Sequence, residues 1–176
     1  MEPKTGLRIA FAGCMASGKS FAAASVKQKL KNTHIMSFSS AVKRLARENI
    51  KFDHREGYQL VGKVGRMVDP EAWIKILLRE INQKKYTDHI VVDDIRYENE
   101  LIALKMLGFT IVHINTPWHI RLKRVKKRYS DDPPAFDDFV GWFTHESELQ
   151  LEGISEKVFD HVFTTREEMD DYIKSL

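Results

Sequence analysis

The stretch GCMASGKS, from Gly13 to Ser20, decides the fold that we predict for this chain. It has the pattern G-x-x-x-x-G-K-S, follows the apolar run LRIAFA at 7–12 and precedes the segment 19–31, whose Ala- and Lys-rich composition predicts a helix. A strand, this loop and a helix together form a phosphate-binding loop, because successive backbone amides and the helix N-terminus point at one anion. We therefore predict that the chain binds a nucleoside triphosphate.

The individual loop residues have predicted roles. Gly13 and Gly18 allow the backbone angles and the close approach that a triphosphate requires. Lys19 is expected to reach the β- and γ-phosphates and to act in catalysis, while the Ser20 hydroxyl is expected to ligate Mg²⁺, the predicted cofactor. The predicted contacts of this segment with ATP, the expected co-substrate, are Gly13, Ala16, Ser17, Gly18, Lys19, Ser20 and Phe21.

Strand and helix patterns alternate along the whole chain. The β-branched run Ile90-Val91-Val92 is typical of a strand that is buried on both faces of a parallel sheet. Alternation of this kind predicts an α/β, three-layer fold with a parallel central sheet in a single domain spanning 1–176. Strands are predicted at 7–12, 33–38, 90–92, 109–114 and 161–165. Helices are predicted at 19–31, 41–48, 57–82 with a break near Asp69-Pro70, 97–107, 117–129 and 166–175.

Composition favours an ordinary globular domain. The chain has 176 residues, of which 43% are hydrophobic and 30% charged, and its net charge of +3 does not suggest nucleic acid as a partner. Its one cysteine, Cys14, excludes an internal disulfide and suits a reducing compartment. The N-terminal residues lack a signal-peptide pattern, and no apolar run approaches the roughly 20 residues that span a bilayer. We expect a cytoplasmic protein without a membrane partner; a homodimer remains open.

Two carboxylates, Asp93 and Asp94, end the third predicted strand. A carboxylate at the carboxyl end of a strand beside the loop can hold Mg²⁺ or its waters. A solvated strand end is the alternative, since Asp is common in turns. The strand pattern does not decide which of the two serves the metal. Arg96 follows two residues later and could face the same cleft.

The residues after the second strand bear on the phosphoryl acceptor. A hydroxyl acceptor needs a base, whereas a phosphate acceptor is already anionic and needs cations instead. The sequence Ser37-Phe38-Ser39-Ser40 contains no acid, although Asp93 could still serve as a base. The guanine-reading pattern N-K-x-D is absent, which disfavours a GTPase switch. A phosphate acceptor is therefore favoured, and the cations available to it are Lys43, Arg44, Arg47, Arg66 and Arg96.

A strongly basic helix is predicted late in the chain. In RLKRVKKR (121–128), the spacing i, i+3, i+7 places Arg121, Arg124 and Arg128 on one helical face. With the acidic loop DDPPAFDD (131–138), this segment predicts a lid over ATP at about 117–145, with Arg121 and Arg124 as ATP contacts and Arg124 also catalytic. A solvated basic face and a nucleic-acid patch are the alternatives, and the lack of interleaved aromatic residues disfavours the patch.

Several stretches together resemble a known family. They are GCMASGKS, SFSSAVKRLA, VGRMVDPEAW, VVDDIRYENE, HESE and FDHVFTTREEMDDYI, and they occur in the family's order over nearly the whole chain. The chain resembles the phage-type deoxynucleoside monophosphate kinases, which are P-loop kinases related to animal phosphomevalonate kinases and more distantly to dephospho-CoA kinases. Asp93 departs from the pattern, because the family often has a small polar residue there.

The resemblance implies a P-loop kinase fold with a helical acceptor-binding insert at about 38–82. It implies transfer of the ATP γ-phosphoryl group to a (deoxy)nucleoside 5′-monophosphate, giving the diphosphate. A kinase for another phosphorylated molecule, such as phosphomevalonate, and a non-catalytic module that binds nucleotides or nucleic acid remain alternatives. Trp73 could instead belong to the core, and HESE (145–148), whose role in the family is less certain, could be a helix-capping turn. The resemblance assigns Asp94 to the metal site and Arg96 to catalysis. It places Arg66, Trp73, Asp94 and Arg96 at the acceptor, beside the cations Lys43 and Arg44.

Overall fold

The computed structural model describes residues 5–51, 53–131, 136–151 and 153–176, with only the backbone described for 136–139. Five strands form one sheet, and every neighbouring pair of strands is parallel. The strand order is β2-β3-β1-β4-β5, so the predicted α/β fold with a parallel central sheet is confirmed. The strands are β1 (Arg8–Ala12), β2 (Thr33–Met36), β3 (His89–Ile95), β4 (Thr110–Ile114) and β5 (His161–Phe163).

Helices cover both faces of this sheet. They are α1 (Lys19–Lys29), α2 (Phe38–Leu45), α3 (Arg55–Val68), α4 (Ala72–Asn82), α5 (Glu98–Met106), α6 (Trp118–Arg128), α7 (Phe136–Thr144), α8 (Glu146–Leu149) and α9 (Arg166–Ser175). The predicted break at Asp69-Pro70 separates α3 from α4. Helix α2 begins earlier than predicted because Ser37 caps it, its side chain accepting a hydrogen bond from the Ser40 amide.

The core lies on the two faces of β1. Ala10 and Ala12 face the layer of helices α2 to α5, while Ile9 and Phe11 face α1 and α9. All four side chains are fully buried, as expected for the central strand of a parallel sheet. Within the described ranges, no helix has the length and apolar character needed to cross a membrane.

The pairing of β1 with β3 contains an irregularity close to the carboxyl ends of both strands. Ala10 pairs with Val92 and Ala12 pairs with Ile95, so β3 advances one residue further than β1 over this interval. An extra residue of this kind is a bulge, which interrupts the alternation of side chains between the two faces of a sheet. Asp93 and Asp94 lie in that interval.

The predicted lid segment is described in part. Helices α6 and α7 fall within 117–145, but residues 132–135 of the predicted acidic loop lie outside the described residues. The predicted insert at 38–82 contains α2, a π-helical turn at Ala46–Ile50, α3 and α4. Whether these two segments act as a lid and an acceptor-binding insert stays a prediction.

Candidate active site

The loop between β1 and α1 has the backbone conformation that its glycines predict. Gly13 and Gly18 have φ angles of 139° and 120°, which side chains rarely allow. A Cβ atom on Gly13 would also lie 2.6 Å from the carbonyl oxygen of Ile114, so no larger residue fits there. The loop leads directly into α1 at Lys19, and the helix N-terminus adds partial positive charge to the cradle.

Lys19 is buried at the base of this loop, with 6% of its surface exposed. Its Nζ donates hydrogen bonds to the carbonyl oxygens of Gly13 at 2.6 Å and Cys14 at 2.8 Å. Burial, followed by the nearby Arg96 charge, lowers the pKa of Lys19 to about 7. An anion at the loop would stabilise the protonated amine, so Lys19 is suited to a phosphate partner.

The two carboxylates at the end of β3 have different partners. The Ser20 hydroxyl donates to Asp93 Oδ2 at 3.0 Å. Asp94 instead accepts hydrogen bonds from the Phe38 and Ser39 amides, at 2.8 Å each, in the first turn of α2. The prediction placed Asp94 beside Ser20, whereas the bulge in β3 brings Asp93 to that position. Burial, and then the charge of Asp94, raises the pKa of Asp93.

Ser20 and Asp93 together fit a divalent cation. They supply two hard oxygen atoms beside the loop, and Mg²⁺ is typically held by one or two protein ligands, substrate phosphates and waters. The described side chains contain no group of three or more His, Cys, Asp or Glu that could hold a metal alone. Mg²⁺ would therefore depend on the nucleotide for its remaining ligands.

Glu148 connects the loop to two arginines. It is 3% exposed, and its carboxylate accepts hydrogen bonds from the Met15 amide and from Arg96. Arg55 Nη2 lies 3.6 Å from the same carboxylate. Two partly buried guanidinium groups thus share the Glu148 carboxylate, which leaves excess positive charge at this point of the cleft. His145 caps α8 by accepting from the Ser147 amide at 3.2 Å, as the helix-capping interpretation of HESE predicts.

Two clefts meet at these charges. One cleft surrounds the loop and has a volume of about 1350 Å³, and the second, between α2 and α3, has a volume of about 780 Å³, both counted with the space that is open to solvent. Three of the residues that line both clefts are cationic. The shared residues are Ser39, Lys43, Arg55, Asp94 and Arg96.

Most of the residues predicted to contact ATP line the loop cleft. They are Ala16, Ser17, Gly18, Lys19, Ser20, Phe21 and Arg124. Arg124 Nη1 donates to the carbonyl oxygens of Ala16 and Ser17, at 2.9 Å each. Arg121, in contrast, donates from Nε to the Thr116 carbonyl at 3.1 Å and stacks on Trp118, so it faces the start of its own helix.

The second cleft contains three of the cations predicted for the acceptor side, Lys43, Arg66 and Arg96. Lys43 lies where the clefts meet, and Arg66 lies on the wall formed by α3. Arg66 Nη2 is 2.9 Å from Glu100 Oε1, and its guanidinium lies 3.8 Å from the Tyr97 ring centroid. Burial raises the pKa of Glu100 to about 7. Arg66 is therefore held in a fixed position with part of its charge balanced.

Two other acceptor-side predictions are not supported by the positions of the side chains. Arg44 pairs with Glu80 at 3.4 Å, is 54% exposed and is absent from the described lining of both clefts. Trp73 is 5% exposed and belongs to the core. Its Nε1 donates to the Gly62 carbonyl at 3.1 Å, and its ring packs so closely on Gly65 that a Cβ there would lie 2.3 Å from it. Trp73 is therefore a core residue whose ring packs against α3.

Sequence reasoning missed two residues of the second cleft, Arg55 and Gln59. The Arg55 Nε and the Gln59 Nε2 atoms are buried without a hydrogen-bond partner among the residues that the structure describes. Burial, and then the Arg96 charge, lowers the pKa of Arg55. The signal that could have found them is the spacing i, i+4, i+7, i+11 of Arg55, Gln59, Gly62 and Arg66, which places all four on one face of α3.

The parallel sheet and the glycine-rich loop define a P-loop domain with the architecture of P-loop kinases. The chain matches the AAA domain family (AAA_18) over residues 9–139 and belongs to it. Its fold is similar to that of shikimate kinase from Acinetobacter baumannii in complex with shikimate, at 14% identity and a TM-score of 0.54, covering 96% of this chain and 90% of that chain. It is also similar to the Mycobacterium tuberculosis APS kinase CysC in complex with AMPPNP and APS, at 18% identity and a TM-score of 0.54, covering 98% and 96%.

A curated relative comes from a virus. The uncharacterized protein ORF77 of Ictalurid herpesvirus 1 is 29% identical over 120 residues, which cover 65% of this chain. The match covers 53% of the viral protein, so the chain spans about half the length of the curated relative that it matches.

Proposed function

We propose that the protein transfers the γ-phosphoryl group of ATP to the phosphate of a (deoxy)nucleoside 5′-monophosphate, giving the diphosphate. The observation that carries this proposal is the junction of the two clefts, where Lys43, Arg55 and Arg96 face both spaces. Two anionic substrates can meet only where cations offset their repulsion. The P-loop kinase fold supports phosphoryl transfer, and the resemblance to phage-type deoxynucleoside monophosphate kinases supports the acceptor class.

On the ATP side, the loop residues from Ala16 to Phe21 hold the phosphates through backbone amides, and Lys19 contacts the terminal phosphate. Ser20 and Asp93 would hold Mg²⁺, and Asp93 takes the role first assigned to Asp94 because it is the carboxylate beside Ser20. Mg²⁺, when bound, supplies charge neutralisation at the β- and γ-phosphates. Arg124 donates to the loop carbonyls of Ala16 and Ser17, and on ATP binding we expect its guanidinium to turn toward the transferred group.

On the acceptor side, the available carboxylates favour a phosphate over a hydroxyl. Four carboxylates line the two clefts in the described structure, and each already has a partner: Asp93 the Ser20 hydroxyl, Asp94 two backbone amides of α2, Glu100 Arg66, and Glu148 Arg96. A phosphate acceptor needs no base and uses the surplus charge of Arg55 and Arg96, which share Glu148. Arg96 therefore has a catalytic role at the point of transfer, and Arg66 and Lys43 bind the acceptor. The segments 38–82 and 117–145 act as acceptor-binding insert and lid of one domain.

The test is coupled ADP release with purified protein, ATP, Mg²⁺ and a panel of acceptors. The panel contains the four deoxynucleoside monophosphates, their ribose counterparts, phosphomevalonate and shikimate. We expect ADP release and a diphosphate product with nucleoside monophosphates, and neither with the Lys19→Ala variant. Activity confined to phosphomevalonate or shikimate would contradict the acceptor class, and salt-sensitive DNA binding without turnover would support a non-catalytic module.

A further inference from the structure

Arg55 reaches the junction of the two clefts from the first turn of α3, and two side chains hold its guanidinium there. Its Nη2 lies 3.6 Å from the Glu148 carboxylate, and its Cζ lies 5.3 Å from the centre of the Trp142 ring. Its Nε is buried, and the described residues offer it no hydrogen-bond partner. An ion pair at 3.6 Å is longer than a hydrogen bond and fixes direction poorly, so the direction of this guanidinium depends on the ring on which it packs.

Trp142 is itself held in one position. It is 8% exposed and belongs to a small core that also contains the loop residue Met15. Its Nε1 donates to Glu56 Oε1 at 2.8 Å, and the centroid of the Tyr129 ring lies 5.0 Å from that of the indole. A buried indole whose N–H is satisfied has little freedom to rotate. The hydrogen bond from Trp142 also lowers the pKa of Glu56, so this carboxylate stays charged at neutral pH and remains an acceptor.

Trp142 contacts two consecutive residues at the start of α3. Its ring packs on Arg55 and its N–H bonds Glu56, so α7 is joined to α3 at the turn that carries Arg55. Trp142 is absent from the described lining of both clefts, whereas Arg55 lines both. Any influence of the indole on bound substrates therefore passes through Arg55.

We infer that Trp142 is a positioning residue, which directs the Arg55 guanidinium toward the phosphates that meet at the junction. This rests on the proposed function, and it deepens that function by naming the group that orders one of its cations. A cation that is fixed before the reaction stabilises developing charge without reorganisation. An arginine side chain without such support occupies several rotamers, and only some of them place its charge at the junction.

The experiment is a double-mutant cycle on kcat/KM for the acceptor that gives the highest rate in the panel. Trp142→Leu removes the ring, Trp142→Phe keeps a smaller one, and each change is made in wild type and in Arg55→Ala. The matched control is Trp118→Leu in the same two backgrounds, because the Trp118 ring packs on Phe143 and Arg121 instead. Thermal unfolding of each variant identifies a temperature at which all of them are folded, and the kinetics are measured there.

In wild type, Trp142→Leu should lower kcat/KM by about 5- to 30-fold, the rate equivalent of one partly desolvated cation–π contact, and Trp142→Phe by about 2- to 5-fold. In Arg55→Ala, neither change should lower kcat/KM further, whereas Trp118→Leu should have the same effect in both backgrounds. Equal losses in both backgrounds, or no loss in wild type, would overturn the inference, because Trp142 would then be a core residue without influence on Arg55. If Trp142→Leu does not fold, Trp142→Phe decides, by whether its loss disappears in Arg55→Ala.

These outcomes are separate from those that test the proposed function. If phosphomevalonate or shikimate proves to be the acceptor, the proposed acceptor class is wrong, and the cycle on that acceptor still decides the role of Trp142. If wild type phosphorylates no acceptor in the panel, the proposed function fails, and this inference fails with it.

Discussion

Replacing Glu148 by Ala should destabilise the protein more than most single changes do. Its carboxylate accepts from the Met15 amide and from Arg96, and it lies 3.6 Å from Arg55. Removing one partner of a buried ion pair costs about 3–5 kcal/mol, because the remaining charge has no counter-ion. The side chains of Arg55 and Arg96 keep 27% and 25% exposure, so water offsets part of the loss and the lower end of the range applies.

A loss of about 3 kcal/mol corresponds to a decrease in Tm of about 6–12 °C for a chain of this size. Thermal unfolding followed by circular dichroism measures it, with Glu146→Ala as the matched control. Glu146 occupies the same short helix but contacts only the Tyr97 hydroxyl, at 3.4 Å, in the described structure, so its removal should cost less than about 1 kcal/mol. Glu148→Gln should fall between the two, because the amide oxygen can still accept from Met15 while the charge is lost.

Inorganic phosphate adds a second readout to this experiment. With Glu148 removed, Arg55 and Arg96 have no carboxylate between them, so the anion should raise the Tm of Glu148→Ala more than that of wild type. A Tm for Glu148→Ala within about 2 °C of wild type, less than a 1 kcal/mol loss would give, would refute the view that this carboxylate joins the loop to the arginines. An equal effect of phosphate on both proteins would refute the charge argument.

Four further outcomes are expected. Lys19→Ala should keep the wild-type far-ultraviolet circular dichroism spectrum. It should lower kcat on the order of 10²-fold or more, because it removes the charge at the γ-phosphate. A rate above about a tenth of wild type would contradict this role. Because the pKa of Lys19 is lowered to about 7, its amine is mostly neutral at pH 8, and an arriving phosphate favours the charged form. ATP binding at pH 8 should therefore take up a proton, seen by calorimetry in buffers of different ionisation enthalpy and lost in Lys19→Met. Asp93→Asn should raise the Mg²⁺ concentration needed for half-maximal activity more than Asp94→Asn does, and the reverse order in a Mg²⁺ titration would return the metal to Asp94. Arg124→Ala should lower kcat more than it raises the KM for ATP, and a loss confined to KM would leave α6 as an ordinary basic surface.

The parts of the fold that could be predicted from sequence are those fixed by local signals. The loop from Gly13 to Ser20 needs its glycines wherever it occurs, and Asp69-Pro70 ends one helix and starts another because proline lacks an amide donor. The run Ile90-Val91-Val92 identifies a buried strand from composition alone. These signals concern residues that are adjacent in sequence, so they do not depend on the rest of the chain.

The parts of the site that sequence could not assign depend on contacts between distant elements. Asp93 rather than Asp94 contacts Ser20 at the bulge in β3, and the sequence contains no pattern that predicts this bulge. Trp73 supports α3 because Gly65 lets the ring approach, a contact that is visible only once α3 and α4 pack together. Arg55 and Gln59 lie in a polar stretch without a recognisable motif, and their place in the lining of the second cleft is visible only once α2 and α3 pack together.

The wall of the second cleft that α3 provides has a consequence for how this protein could change its substrate. Arg55, Gln59, Gly62 and Arg66 all fall within the continuous stretch 55–66, although other residues of this cleft lie as far apart in the sequence as Phe38 and Glu148. Under the proposed function, exchange of this one helical segment between homologous genes would alter part of the acceptor side, and Arg55 is the only residue of the four that also lines the loop cleft in the described structure. Selection for a new acceptor in a laboratory library would then place part of its adaptive mutations in a few dozen consecutive nucleotides.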